Sequence, residues 1–372
     1  MIKVLELIDG GFLGGGQTHI LSLVGNLNTE KYEAIIAAAP KGEFKEEVFK
    51  KGFKFENVYL TKLYKGKYLH TIDKIVKDNN ISIIHSHGGI AGMYARFYKK
   101  KYDNVSIVHT IHGIHYNRTG NFLKKVFSQS TEQHLVKYTD RFICVSDEDR
   151  KLAEKMKIID PMKTNVIKNG INVRRFADKK KNPELLKKYN IGENDFIIGN
   201  ISRFDYQKNQ RQLIKVFSVL TQRIHDIKLL LVGDGKLYDE CVKQAELEGV
   251  ADKVIFTGEV ANVEDYYPLI DIFVFPSLWE GLSITLIEAQ VSGRCIIASN
   301  IPSNRELIQD NETGLLYDVN DEESLYNRIQ NVYVDKFDRE RLSENATKEG
   351  MKYNEKEMAE KIESVYDKVS GS

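Results

Sequence analysis

Short, almost uninterrupted apolar runs alternate along this chain with longer stretches in which apolar residues return every three or four positions. The two periods belong to different elements. A run apolar throughout reads as a strand covered on both faces, and a 3.6-residue recurrence reads as a helix with one buried stripe. Residues 2–8 form the first run and stop at Asp9-Gly10-Gly11, after which Ile20, Leu21, Leu23, Val24 and Leu27 fall on one helical face. Further strands are predicted at 33–38, 81–85, 105–110 and 142–145, and the series restarts at 196–201, 228–232, 254–257, 272–275 and 295–298. Strands buried on both faces and separated by helices predict parallel sheets, because a parallel return needs a crossover that covers the sheet. Between the two series lie Val166-Ile-Lys-Asn-Gly-Ile-Asn-Val173 and the charged residues 174–182. The expected organisation is α/β: one Rossmann-like domain over 1–170 and a second over 171–354, two doubly wound domains facing across a cleft. A last helix, about 355–372, is expected to pack back on the first domain.

Length and composition agree with this picture. At 372 residues, with 42% hydrophobic and 29% charged content, the chain can bury two ordinary cores and has no disordered signature. No run approaches the roughly 18 apolar residues of a membrane span, and Met1 leads directly into the first strand, leaving no room for a signal peptide. Cys144, Cys241 and Cys295 are scattered, which suggests core packing in a reducing, cytoplasmic setting. Charge divides the halves: residues 1–170 hold 27 Lys and Arg against 18 Asp and Glu, and the remainder holds 27 against 35. Residues 62–125 carry most of the excess, in Lys62, Lys65, Lys67, Lys74, Lys77, Arg96, Lys99, Lys100, Lys101, Arg118, Lys124 and Lys125, interleaved with Tyr64, Tyr68, Phe97, Tyr98 and Phe122. Such a patch suits an anionic membrane surface, here the inner face of the plasma membrane, or a phosphate-bearing acceptor; the alternative is solvated lysine on helix faces. Nucleic acid is not expected, since no motif of that class accompanies the charge.

In doubly wound sheets, ligands sit beyond the carboxyl ends of the strands, and the unusual loops of this chain lie there. Gly10, Gly11, Gly14, Gly15 and Gly16 join the first strand to the first helix, where positive φ, close backbone approach and a phosphate at the helix N-terminus are expected. A dinucleotide GxGxxG register and a Walker A Gly-Lys-Ser/Thr are both absent. Arg203 and Lys208 leave the end of the restarted first strand, where they are either exposed bases or a pair suited to neutralising a diphosphate. Glu280 and Glu288 stand eight residues apart across a strand-to-helix turn, the first in the loop and the second about one turn into the helix. They read either as surface acids or as ligands for the hydroxyls of a ribose and a sugar. His85, His87, His109, His112 and His115 gather at strand ends. The 109–112–115 spacing invites zinc, but it follows a strand and contains Gly113, so no metal is expected. A neutral His112 donating to a sugar hydroxyl or departing group is the preferred reading. Asp147-Glu148-Asp149 resembles a metal-holding DxD, yet Ser146 as N-cap makes these the first-turn acids of a helix.

In their order and spacing these motifs resemble retaining glycosyltransferases of family 4, which have the GT-B fold, over essentially the whole chain. Glu280 to Glu288, continued by Ala289-Gln290-Val-Ser-Gly293, is similar to that family's E-x7-E and EAxxxG, and Gly14-Gly15-Gly16-Gln17 to its Gly-Gly-x-Glu/Gln loop. Leu231-Val-Gly-Asp-Gly235, Val166-Ile-Lys-Asn-Gly170 and Asn311-Glu-Thr-Gly-Leu315 match further stretches. The resemblance implies same-face transfer from a nucleotide-diphosphate sugar, UDP- or GDP-linked, to a glycan or lipid-linked acceptor in cell-surface polysaccharide synthesis, without metal or other cofactor. Arg203, Lys208 and N–H groups at Gly15, Gly16, Gly281, Leu282 and Ser283 would then stabilise the leaving diphosphate. Glu280 would hold sugar hydroxyls, Glu288 the ribose, Gln17 the donor, and Thr257, Gly258 and Val260 the base. His112 would line the acceptor side, in the first domain. Where relatives often read Glu-Gly-Phe-Gly-Leu-Pro, this chain has Glu280-Gly-Leu-Ser-Ile-Thr285, with Ser283 in place of a glycine. A non-catalytic sugar-nucleotide-binding subunit and a UDP-sugar epimerase of the same fold are the competing readings.

Overall fold

Every strand pairing in the two sheets of the computed structural model is parallel. The structure describes all residues except 62–63, 115–121, 193 and 372, and only the backbone of 122–124. The chain divides into two compact units, Met1–Ile171 with Asn354–Ser372, and Asn172–Tyr353.

The first unit holds β1 (Ile2–Ile8), β2 (Tyr32–Ala38), β3 (Lys54–Asn57), β4 (Ile83–His87), β5 (Ser106–Ile111), β6 (Arg141–Cys144) and β7 (Thr164–Val166), in the order β3-β2-β1-β4-β5-β6-β7. Alternate side chains of β1 serve opposite layers. Val4 packs with Leu23 of the helix Gly15–Asn26 and with Met358, Ile362 and Tyr366 of the C-terminal helix Glu355–Ser370. Leu5 and Leu7 face Leu69, Ile72, Tyr94 and Tyr98 on the other side. With each buried Leu, Ile or Phe worth about 1.5–3 kcal/mol, these layers hold the C-terminal helix on the first unit. Two residues of the strand break the apolar run, Lys3 near its start and Glu6, and of these Glu6 is fully buried.

The second unit holds β8 (Phe196–Ile201), β9 (Ile227–Val232), β10 (Val254–Phe256), β11 (Ile272–Phe275), β12 (Cys295–Ser299) and β13 (Leu315–Tyr317), in the order β10-β9-β8-β11-β12-β13. Its core joins Ile198, Leu229, Leu231, Val274 and Ile297 to Leu213, Phe217, Leu325 and Leu342 of the covering helices. In each sheet the strand order reverses once, between β1 and β4 and between β8 and β11. These are the positions where loops turn apart and doubly wound folds take ligands.

The three cysteines are buried and unpaired, and among the described residues no helix is long and apolar enough to cross a membrane. Ser146 caps the helix Asp147–Lys155, accepting the Asp149 N–H at 3.0 Å, so the acids there serve the helix terminus. The basic stretch loses one member. Arg96 is buried and donates to Glu132 at 2.7 Å, because it lies on the inner side of the helix Gly88–Tyr102. Lys62 and Arg118 lie outside the described residues, as do the side chains of Phe122 and Lys124.

Candidate active site

The loops after β8 and β11 are tied together by a backbone bond and by the Gln207 side chain. Leu278 N donates to Gln207 O at 2.8 Å, and Gln207 Nε2 donates to Trp279 O at 2.7 Å. This brings Lys208 Nζ to 2.6 Å from Glu280 Oε1, with side chains 12% and 9% exposed, and sets the ammonium 5.0 Å from the centre of the Phe275 ring. A pair this sheltered interacts more strongly than one in open water. Arg203, expected beside Lys208, stands in a different setting: its side chain is 65% exposed and lies 3.4 Å from Asp205, a surface pair worth little by itself.

The loop carrying Arg203 rests on two glycines after β9. Gly233 and Gly235 adopt φ of +128° and +154°, and a Cβ at either would come within 2.2 Å of Ser202 O or 2.4 Å of Phe204 O. That steric demand accounts for the glycines of the Leu231–Gly235 motif. Gly233 N also donates to Gly258 O at 3.0 Å, so Gly258, at φ +68°, belongs to the same backbone junction. Thr257 lies just past β10 and donates its hydroxyl to Gly258 O at 2.8 Å. Val260 follows two residues later, half-buried.

Glu288 lies in the second turn of the helix Ile284–Val291 and accepts the Tyr267 O–H at 2.7 Å. Burial pushes its carboxyl up; the Tyr267 bond and the Arg175 charge offset part of this, leaving it at about 7. Ser283 is the N-cap of this helix, its Oγ accepting the Leu286 N–H at 3.3 Å. The departure from the family pattern thus has a local cause, a cap in place of a glycine, with Gly281 and Leu282 just before it. Gly293, at φ +68°, ends the helix and explains the last position of its motif.

The glycine loop of the first unit corrects the sequence reading. None of Gly10, Gly11, Gly14, Gly15 and Gly16 has positive φ. Gly11 is required because a Cβ would lie 2.0 Å from Lys41 O, and a Cβ on Gly16 would meet Ile8 and His112 at 3.2 and 3.7 Å. Gln17 donates its side-chain amide to Gly10 O at 3.2 Å and so closes the loop on itself. The helix begins at Gly15, leaving the first N–H groups, those of Gly15, Gly16 and Gln17, at its open end.

The histidines also regroup. Side-chain alternation along β4 puts His85 and His87 on one face and Ser86 on the other, where Ser86 Oγ meets His109 Nδ1 at 3.0 Å. His109 and His112 therefore do not converge, and His115 lies outside the described residues. What converges is a buried network that the sequence did not reveal. His87 Nε2 lies 2.7 Å from Glu6 Oε2, and Tyr366 donates its hydroxyl to Glu6 Oε1 at 2.7 Å. His85 bridges Tyr366 and Thr110 at 2.6 and 2.7 Å, His87 Nδ1 lies 3.0 Å from His112 Nε2, and His19 Nδ1 lies 3.0 Å from Asn169 Oδ1. Burial raises Glu6, but the charge and hydrogen bond of His85, then those of His87, outweigh it and hold the carboxyl well below its usual range. Burial and His85 push His87 down to about 4 despite Glu6. Burial likewise holds His112 well below its ordinary value. At neutral pH His87 and His112 are then neutral rings, with His87 against the Glu6 carboxylate. His87 gives Nε2–H to Glu6 and accepts at Nδ1 from His112 Nε2–H, which leaves His112 Nδ1 as an acceptor.

Two family models match, end to end: "Glycosyltransferase Family 4" over residues 13–175 and "Glycosyl transferases group 1" over 181–349. The Escherichia coli UDP-Gal:alpha-D-GlcNAc-diphosphoundecaprenol alpha-1,3-galactosyltransferase is 29% identical over 274 residues, 73% of this chain and 71% of the relative. The Staphylococcus aureus capsular polysaccharide biosynthesis glycosyltransferase CapH is 25% identical over 317 residues, 83% and 84% of the two chains. Anabaena HepE, solved in complex with UDP, superposes with a TM-score of 0.83 at 18% identity, covering 99% of this chain and 100% of that one, a likeness of fold. With two parallel sheets that each reverse at a switch point, and both family models in sequence along it, this chain belongs to the group 1 glycosyltransferases of family 4 and has the GT-B fold.

Proposed function

We propose that this glycosyltransferase moves a sugar from a UDP- or GDP-linked donor to a hydroxyl of a lipid-linked or cell-surface glycan precursor, with retention of anomeric configuration. The observation that carries the reading is the Lys208–Glu280 pair at the β8/β11 switch point, 2.6 Å apart and sheltered, with Glu288 on the following helix. Without donor, Glu280 is the counter-ion of Lys208. With donor, Lys208 and the exposed Arg203 face the diphosphate, Glu280 accepts from hydroxyls of the transferred sugar and Glu288 from the ribose. The bond from the anomeric carbon to the diphosphate oxygen breaks while the acceptor oxygen arrives on the same face, and a departing phosphate oxygen takes the acceptor proton. Charge builds on the leaving group, so fixed cations and helix N-terminal N–H groups supply the stabilisation and no metal or carboxylate nucleophile is required. Thr257, Gly258 and Val260 border the base; Gly15, Gly16, Gln17, Gly281, Leu282 and Ser283 belong to the donor loops. His112 contacts the sugar from the acceptor-binding first unit. The remaining lysines of residues 62–125 bring that unit to an anionic membrane surface.

The relatives support the acceptor class: the Escherichia coli enzyme acts on a diphosphoundecaprenol-linked sugar and CapH serves capsule synthesis, by their names. Incubation with UDP- and GDP-sugars and a polyprenyl-diphosphate sugar acceptor, followed by NMR of the product, tests the reading. An α-linked product from an α-linked donor is expected. An inverted product, or acceptor-independent isomerisation of the donor, contradicts it.

A further inference from the structure

His19, His87 and His112 can each turn one ring nitrogen to a common point, those nitrogens lying within 4.8 Å of one another. Two of the rings are already oriented by partners behind them. His87 gives Nε2–H to Glu6 at 2.7 Å, which leaves Nδ1 as a lone pair facing the group. His19 Nδ1 lies 3.0 Å from Asn169 Oδ1, and donation there leaves Nε2 bare. That nitrogen is buried and, among the described residues, has no hydrogen-bond partner, so it calls for a ligand of its own. An imidazole whose far N–H is held by a carboxylate or carbonyl is the arrangement that aims histidines at transition metals.

We infer that His19, His87 and His112 form a binding site for one transition-metal ion of the zinc class, with the fourth position open to water. His87 Nδ1 and His112 Nε2 are 3.0 Å apart, and ligands about 2.0–2.1 Å from a tetrahedral ion stand about 3.3–3.4 Å from each other, so the pair opens slightly on binding. The proton that His112 carries on Nε2 moves to Nδ1 through solvent, since His112 is only half-buried, and the three rings stay neutral. The neighbouring trio of Glu6, His85 and His87 also has its ligand atoms within 4.8 Å of one another. Its atoms already bond one another and Tyr366, which makes Glu6 the outer partner of the site and not a ligand. The sugar transfer proposed above takes no metal and uses His112 for the sugar, so an ion held here and the sugar would exclude one another at that ring.

Titration of the whole, chelator-treated chain with Co²⁺ tests the assignment. One saturable equivalent is expected, with the intense visible bands of a tetrahedral nitrogen-ligated ion, displaced by one equivalent of Zn²⁺. His19→Ala and His112→Ala should each weaken binding by about 10-fold or more, while His225→Ala, in the other unit, keeps it. Circular dichroism checks that the variants fold, and His112→Ala, at the half-buried ring, disturbs packing least. Only the weak bands of hydrated cobalt in the wild type, or wild-type bands retained in both folded variants, would overturn the inference.

Discussion

Replacing Glu288 by glutamine separates its charge from its shape. The carboxyl is held at about 7 against an ordinary 4.5, and at about 1.36 kcal/mol per unit the difference is worth roughly 3 kcal/mol, an upper bound for a side chain that keeps some exposure. The folded form holds this proton to higher pH than the unfolded form does. Its contribution is therefore complete below pH 4.5, falls as pH rises, and is gone above about 7. Glutamine keeps the volume and can still accept the Tyr267 O–H, but it does not titrate. Urea unfolding followed by Trp279, the chain's only tryptophan, reports the second unit. Near pH 5 the two proteins should have similar midpoints; near pH 8.5 Glu288→Gln should be the more stable, by about 2–3 kcal/mol. A difference between the proteins that stays constant over that range would refute the reasoning. The same carboxylate gives donor binding its pH dependence: affinity for the nucleotide sugar should strengthen as pH rises through about 7 in the wild type, and should be weaker and flat in the variant.

Ser283→Ala removes the cap on Leu286 N and should lower the Trp279-reported stability by about 1 kcal/mol, with Ser283→Gly costing only a few tenths; equal effects would argue against a capping role. Gly235→Ala should destabilise the second unit by more than about 1 kcal/mol and impair transfer, because a Cβ there collides with Phe204 O under the Arg203 loop; unchanged turnover and melting would contradict this. Binding to anionic vesicles should fall as salt approaches about 1 M, where screening shortens to about 3 Å, and salt-insensitive or absent binding would remove the membrane proposal.

Much of this was legible because the alternation of apolar runs and helical stripes is strong. The bounds of β1, β8 and β11 follow from the sequence alone, since each run is mostly apolar and is followed by a polar residue or a proline. β3, β7 and β13 escaped notice: each has only three or four residues, and β3 is exposed at both ends, so no run of one period forms. Glu280, Glu288, Arg203 and Lys208 stood out as charges following buried strands, but their pairing did not. Sequence distance cannot tell that Lys208 meets Glu280 while Arg203 stays in solvent. The histidine network was further out of reach. Glu6 hides inside an apolar strand, His19 inside a helix, and Tyr366 reaches the site from the far end of the chain. The glycine loop misled, because Gly11 answers to backbone packing against Ala39 and Lys41 and none of the five glycines has positive φ.

Release of nucleoside diphosphate by the wild type, Lys208→Ala and Lys208→Ala/Glu280→Gln, measured with the preferred donor and acceptor, tests the central assignment most directly. Removing the ammonium takes away stabilisation of the leaving group, so turnover should fall by roughly 10²-fold or more. The double variant removes the unpaired Glu280 charge, and should regain stability lost by the single variant without regaining turnover. Near-wild-type turnover in folded Lys208→Ala would contradict the placement of the donor diphosphate at the β8/β11 switch point.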